Sequence, residues 1–172
     1  MPQKRTETAQ NDKITVQRCK SIVWGKNEVN KQKLRYELFI GIDTGVNTGL
    51  AIWNVLEKKL TCVRSVMIHQ AIEIVKEQNE IFSIKVIVED ARLRTWFGKN
   101  AKGKEQGAGS IKRDAKIWED FLTDQKIPFE MVHPLKGATK MNAEVFKQIT
   151  KYEGITNEHS RDASMLVINR NY

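Results

Sequence analysis

The chain has 172 residues, with 29 Lys and Arg against 21 Asp and Glu and a formal net charge of +8. That length supports one domain with a short tail, and 40% hydrophobic residues suits a globular core and is too few for a membrane protein. The apolar runs, such as Val86-Ile87-Val88, fall far short of the ~20 residues of a transmembrane helix, no charged-then-apolar start resembles a secretory signal, and two cysteines, Cys19 and Cys62, neither make a disulfide scaffold nor complete a structural zinc site.

A reducing, cytoplasmic location is the expectation for so few cysteines. The positive charge points towards a polyanion such as nucleic acid, but it is uneven. Residues 1–35 hold nine basic residues against three acids, which accounts for six of the eight net charges. Residues 1–34 therefore read as a basic N-terminal arm, partly disordered, with short β-like pieces at Ile14-Thr15-Val16 and Ser21-Ile22-Val23-Trp24. The main domain is taken as 35–172.

From Tyr36 to Asp43 an apolar run ends in an acid and reads as a buried strand. A Gly/Asn turn over 44–48 leads to a second strand, Gly49–Asn54, close enough to form a hairpin with the first. Leu60–Met67 gives a third strand, so three sequential antiparallel strands are expected. Ile68, Ala71, Ile72 and Val75 follow helical spacing and predict an amphipathic helix over 68–80. Lys85–Glu89 is a fourth strand of central character. A loop is expected from Arg92 to Ser110, then a helix of about three turns marked by Ile111, Ala115, Trp118 and Leu122. Ile127–Val132 is a fifth strand, stopped by Pro134. Met141, Val145 and Ile149 stripe a further helix, closed by Gly154, and Ala163, Leu166 and Val167 stripe a last one beginning near Glu158. The order βββ-α-β-α-β-α-α describes an α/β fold with a mixed five-stranded sheet and helices outside.

Two of these strands end in a carboxylate, Asp43 and Glu89, at the rim of a buried sheet where isolated charge is expensive. Such an acid caps a turn, pairs with a base or binds a cation. His159 and Asp162 are three apart on the last helix and share a face beside its apolar stripe; Glu158 reads as ordinary N-terminal helix charge. Together Asp43, Glu89, His159 and Asp162 form a hard, oxygen-rich set with one imidazole, which suits Mg²⁺ or Mn²⁺. Two such ions can clamp the attacking and leaving oxygens of a phosphodiester. The segment 92–104 carries five basic residues (Arg92, Arg94, Lys99, Lys102 and Lys104), no acid, and the aromatics Trp96 and Phe97. Basic groups neutralise phosphates and aromatics stack on unpaired bases, so these residues are expected to contact DNA.

Gly41-Ile42-Asp43-Thr44-Gly45-Val46-Asn47-Thr48-Gly49 resembles the first-strand motif of the ribonuclease H-like superfamily, and within it RuvC-type Holliday-junction resolvases. Val86-Ile87-Val88-Glu89, Gly107-Ala108-Gly109-Ser110 before a helix, and His159-Ser160-Arg161-Asp162-Ala163 match further family motifs in family order, so the resemblance covers about residues 36–170. It implies a ribonuclease H-like sheet and an endonuclease that resolves four-way or branched DNA by paired symmetric nicks, working as a homodimer in a bacterium or a phage-infected host. It implies two Mg²⁺ ions per site, replaceable by Mn²⁺. Asp43 would bridge them, Glu89 and Asp162 would each hold one, and His159 would ligate one or position water. Products would carry 5′-phosphate and 3′-hydroxyl ends, and Lys140 is the implied phosphate-contacting lysine. The sequence departs from the family in its basic arm and in placing Asp90-Ala91-Arg92 after Glu89, where the family has its wedge aromatic. Three other readings share part of the pattern: a ribonuclease H-like nuclease acting on RNA–DNA hybrid, flap or structured RNA; a junction-binding protein without catalysis; and an actin-like kinase, for which a single copy of the D-x-G-x-x-T-G loop is insufficient.

Overall fold

The computed structural model describes residues 35–93, 105–134 and 141–170. Strand β1 (Leu38–Asp43) is the centre of the sheet. It pairs antiparallel with β2 (Asn47–Asn54), which pairs antiparallel with the edge strand β3 (Lys59–Met67). On its other side β1 pairs parallel with β4 (Ile84–Glu89), and β4 pairs parallel with β5 (Phe129–Val132). The order β3-β2-β1-β4-β5 is the mixed five-stranded arrangement expected of a ribonuclease H-like sheet. Leu38 to Ile42 and Val86 to Val88 are buried at every position, so these strands read as continuous apolar runs rather than alternating ones.

Four helices flank the sheet: α1 (Ile68–Ile81), α2 (Glu105–Asp124), α3 (Ala143–Thr150) and α4 (Glu158–Met165). The crossovers β3-α1-β4 and β4-α2-β5 join parallel strands and run the same way across the sheet. Right-handed crossing therefore puts α1 and α2 on one face. That face presents Ile40, Ile42, Leu50, Ile52, Val86 and Val88, with Ala71, Ile74 and Val75 of α1 and Ala115, Trp118 and Leu122 of α2 buried against the sheet. The opposite face presents Phe39, Ala51, Trp53, Val63 and Ile87, packed with Ala163, Leu166 and Val167 of the α4 region and with Phe146 of α3.

Three expectations change. Helix α2 begins at Glu105, not after Ser110, and runs 20 residues. Each glycine at 107 and 109 weakens a helix by about 1 kcal/mol relative to Ala, which is why the sequence reads as a loop there. The long amphipathic stretch beyond them carries the helix through. In α3 the expected stripe is out of phase: Val145 and Ile149 are 41% and 55% exposed, and Phe146 is the buried residue. Phe146 packs edge-on against Tyr152, and one buried aromatic outweighs two aliphatic side chains spaced for a different face. The left-handed residue that ends α3 is Lys151 (φ 58°), not Gly154. The arm, Arg94, Trp96, Phe97, Lys99, Lys102, Lys104 and Lys140 lie outside the described residues.

Candidate metal centre at the sheet end

A strand alternates its side chains between faces. Phe39, Gly41 and Asp43 of β1 therefore share one face. In the β1–β4 register Gly41 pairs with Ile87 and Ile42 with Val88, so Glu89 falls beside Asp43, on the same face and at the same end. In the β1–β2 register Asp43 faces Gly49 and Gly41 faces Ala51. This places Asp43, Gly49 and Glu89 in a row across three central strands. The Thr44 hydroxyl donates to the Glu89 carbonyl at 3.1 Å, tying the ends of β1 and β4 together.

Helix α4 lies directly on this row, and two glycines allow it. A Cβ at Gly41 would come within 2.1 Å of the Ala163 carbonyl oxygen, and one at Gly49 within 2.0 Å of the His159 carbonyl oxygen. Only backbone without a side chain lets the helix come this close. The helix starts with a capping box: the Asn157 side chain accepts from the Ser160 N–H at 3.0 Å, and the Ser160 hydroxyl accepts from the Asn157 N–H at 3.0 Å. Arg161 fixes the same end from outside, donating through Nε to the Met141 carbonyl at 2.6 Å and through Nη1 to the carbonyl and hydroxyl of Thr156. Asn157→Ala is expected to destabilise the fold by about 1 kcal/mol and to fray the turn that carries His159. Urea unfolding measures the first effect, and amide exchange at residues 158–161 the second.

The consequence is a contact between distant residues. His159 Nδ1 lies 2.9 Å from Asp43 Oδ2, across 116 residues of sequence. The Asp43 side chain is 14% exposed and that of His159 is 52% exposed, so the pair opens to solvent on the histidine side. Burial pushes the Asp43 carboxyl above the ordinary carboxylate range. The hydrogen bond and charge of His159 oppose that rise, and the negative charges of Asp162 and Glu158 add to it. Asp43 is thus a desolvated acid within electrostatic range of two further acids.

Of the four residues named as ligands from the sequence, Asp43 and His159 touch, Glu89 adjoins Asp43 in register, and Asp162 acts on Asp43 through its charge. Among the described residues no three His, Cys, Asp or Glu side chains are gathered tightly enough to form a metal-binding group. The donor chemistry nonetheless fits a hard cation: carboxylates and one imidazole at one end of one sheet face, with excess negative charge around a partly desolvated Asp43. One Asp43 oxygen, Oδ2, is engaged by His159 Nδ1.

Arg92, expected at a phosphate, has its guanidinium occupied by carboxylates. Nε and Nη2 donate to Asp90 at 2.7–3.0 Å, and Nη1 donates to Glu119 Oε2 at 2.7 Å. The sequence gives no local sign of this, because Glu119 arrives from α2. By position Glu158 is ordinary helix-end charge, and its influence on Asp43 appears only once α4 is seated on the sheet. The two seating glycines did carry a signal: a lone glycine inside an apolar strand marks close backbone approach.

No family model matches this chain, and no curated protein matches it. No described helix is long and apolar enough to cross a membrane.

Proposed function

We propose that the chain is a RuvC-type, divalent-metal-dependent endonuclease that nicks four-way or branched DNA as a homodimer in the cytoplasm. One observation carries the reading. The strand-end Asp43 and the helix-borne His159 meet at 2.9 Å on the face that also bears Glu89, at the start of the helix that carries Asp162. A hard, acidic set at one end of a sheet suits the two metal ions that can clamp the attacking and leaving oxygens of a phosphodiester.

In this reading Asp43, Glu89 and Asp162 would hold two Mg²⁺ ions, or Mn²⁺ in their place. Bound there, the ions supply positive charge to the phosphate oxygens and lower the pKa of water. Water adds in line at phosphorus, the bond from phosphorus to the 3′ oxygen breaks, and the products are a 5′-phosphate and a 3′-hydroxyl. His159, solvent-accessible and hydrogen-bonded to Asp43, would ligate one of the ions or position the attacking water. The basic and aromatic residues of 94–104, with Lys140, hold the phosphates and unpaired bases of the branch.

The test is a cleavage gel with four-way, flap, RNA–DNA hybrid and linear duplex substrates in Mg²⁺, with both strands resolved under denaturing conditions. Paired symmetric nicks in the four-way junction are expected. Preference for the hybrid replaces the DNA-junction reading with that of a hybrid-directed nuclease. Junction binding with no cleavage in Mg²⁺ or Mn²⁺ leaves only a binding protein.

A further inference from the structure

Immediately after Glu89 the chain reverses through a single 3₁₀ turn, Ala91–Leu93. The reversal is built around Asp90. Its N–H donates to the Val132 carbonyl at 2.8 Å, extending the β4–β5 ladder by one residue, and its carbonyl accepts from the Leu93 N–H at 3.1 Å. Its side chain, 3% exposed, turns back under the chain. Oδ1 accepts from the Arg92 N–H at 2.9 Å and from Arg92 Nε at 2.8 Å, and Oδ2 accepts from Nε at 3.0 Å and Nη2 at 2.7 Å. The remaining arm of the guanidinium reaches Glu119 on α2. Burial alone would raise the Asp90 carboxyl, but the Arg92 contacts outweigh it and hold the group below its usual range, so the carboxylate stays charged.

We infer that Arg92 is a positioning residue for Glu89 and that it does not contact phosphate. Three facts lead there. All three guanidinium nitrogens already donate to a carboxylate of Asp90 or Glu119, so two acids offset the single positive charge that a phosphate would meet. Asp90 is bonded to Glu89 through one peptide, and on the other side Thr44 holds the Glu89 carbonyl. The Glu89 peptide is thus fixed from both β1 and the 90–92 turn. The tie also runs to α2, through Glu119. A planar guanidinium is needed because one group must satisfy both oxygens of Asp90 and still reach Glu119; a lysine ammonium is a point donor and cannot.

This inference rests on the proposed role of Glu89 as a metal ligand. Outer partners of metal ligands typically change metal affinity by about 10–100-fold when removed. The experiment uses the full chain as wild type, Arg92→Lys, Arg92→Ala and Glu119→Gln. It measures Mn²⁺ binding by the protein alone with electron paramagnetic resonance, four-way junction binding in Ca²⁺ across a salt series, and thermal melting. Arg92→Lys and Arg92→Ala are expected to weaken Mn²⁺ binding by about tenfold, the low end of that range because Arg92 acts through Asp90, with an unchanged salt slope for junction binding. Glu119→Gln keeps the Asp90 fork and is expected to lose less. If Arg92→Ala fails to fold, Arg92→Lys and Glu119→Gln carry the comparison well below their melting temperatures.

Wild-type Mn²⁺ affinity in Arg92→Lys, with a shallower salt slope for junction binding, overturns the inference and makes Arg92 a phosphate contact. If the wild type cuts junctions but Arg92→Lys binds Mn²⁺ normally, the positioning role falls and the nuclease reading stands. If Arg92→Lys weakens Mn²⁺ binding but no nucleic acid is cut by the wild type, the nuclease reading falls and the positioning role stands.

Discussion

Asp43→Asn is expected to lower junction cleavage by roughly 10³-fold, from several kcal/mol of lost charge stabilisation at about 1.4 kcal/mol per tenfold, while stabilising the metal-free fold at neutral pH. Both effects come from one environment. As a carboxylate at the sheet end, Asp43 is the group best placed to hold a cation together with Glu89 and Asp162. Without the cation the same carboxylate is desolvated and faces the charges of Asp162 and Glu158, which raise its pKa above the unfolded value. A raised pKa in the folded state means that the folded chain binds the proton more tightly. The stabilisation from the protonated form is complete below the ordinary carboxylate range and is lost as pH rises through the raised value. At neutral pH the charged form therefore destabilises the fold. Asn carries no charge at any pH and retains a polar group for His159. Thermal melts in a chelating buffer should show Asp43→Asn above wild type at neutral pH, with the gap closing in acid. A variant that melts below wild type at neutral pH contradicts the raised pKa. A variant that cleaves at the wild-type rate removes Asp43 from the reaction. Under the proposed function, the carboxylate is kept at the expense of stability.

Gly49→Ala is expected to unseat helix α4, with a loss of about 3 kcal/mol or more and of most cleavage. The added Cβ would meet the His159 carbonyl oxygen at 2.0 Å and its carbon at 2.5 Å, with the Asp43 Cβ at 3.1 Å. No rotamer change relieves a clash with backbone, so the helix start must lift, carrying His159 away from Asp43. Gly41→Ala meets the Ala163 carbonyl oxygen at 2.1 Å and should destabilise the same helix one turn further on. Gly45→Ala is the control: the nearest atom to its Cβ is the Asn47 carbonyl oxygen at 3.7 Å, so urea midpoint and cleavage should stay near wild type. Equal urea midpoints for Gly45→Ala and Gly49→Ala would mean that α4 is not seated on β1 and β2.

The strands were legible because each is a short apolar run bounded by turn residues, and a run such as Leu38–Ile42 has no competing helical period. Helix α1 was legible from its spacing, although Ile74 rather than Ile72 completes the buried stripe with Ala71 and Val75. The misread boundaries share a cause: local propensity was outvoted by packing. Glycines at 107 and 109 argued for a loop and were absorbed into a long helix, and the Val145–Ile149 pairing lost to the single buried ring of Phe146. For the site, Asp43 and Glu89 stood out as charge at the end of apolar strands, and His159 with Asp162 as a polar pair beside an apolar stripe. The carboxylate partners of Arg92 were not legible, because a basic residue in a basic segment reads the same whether its fork meets a phosphate or a carboxylate.

The amino-acid order alone determined which elements form and which polar side chains stand at their ends, since periodicity, turn chemistry and the expense of isolated charge act over a few residues. Which of those ends coincide was decided only by the tertiary structure. Strand register put Glu89 beside Asp43, the bare backbone at Gly41 and Gly49 let α4 bring His159 within 2.9 Å of Asp43, and the path of α2 gave Arg92 its second carboxylate. Those contacts span tens to more than a hundred residues, and no local rule carries over such distances; they exist because burying both faces of one sheet sets where the helices lie upon it.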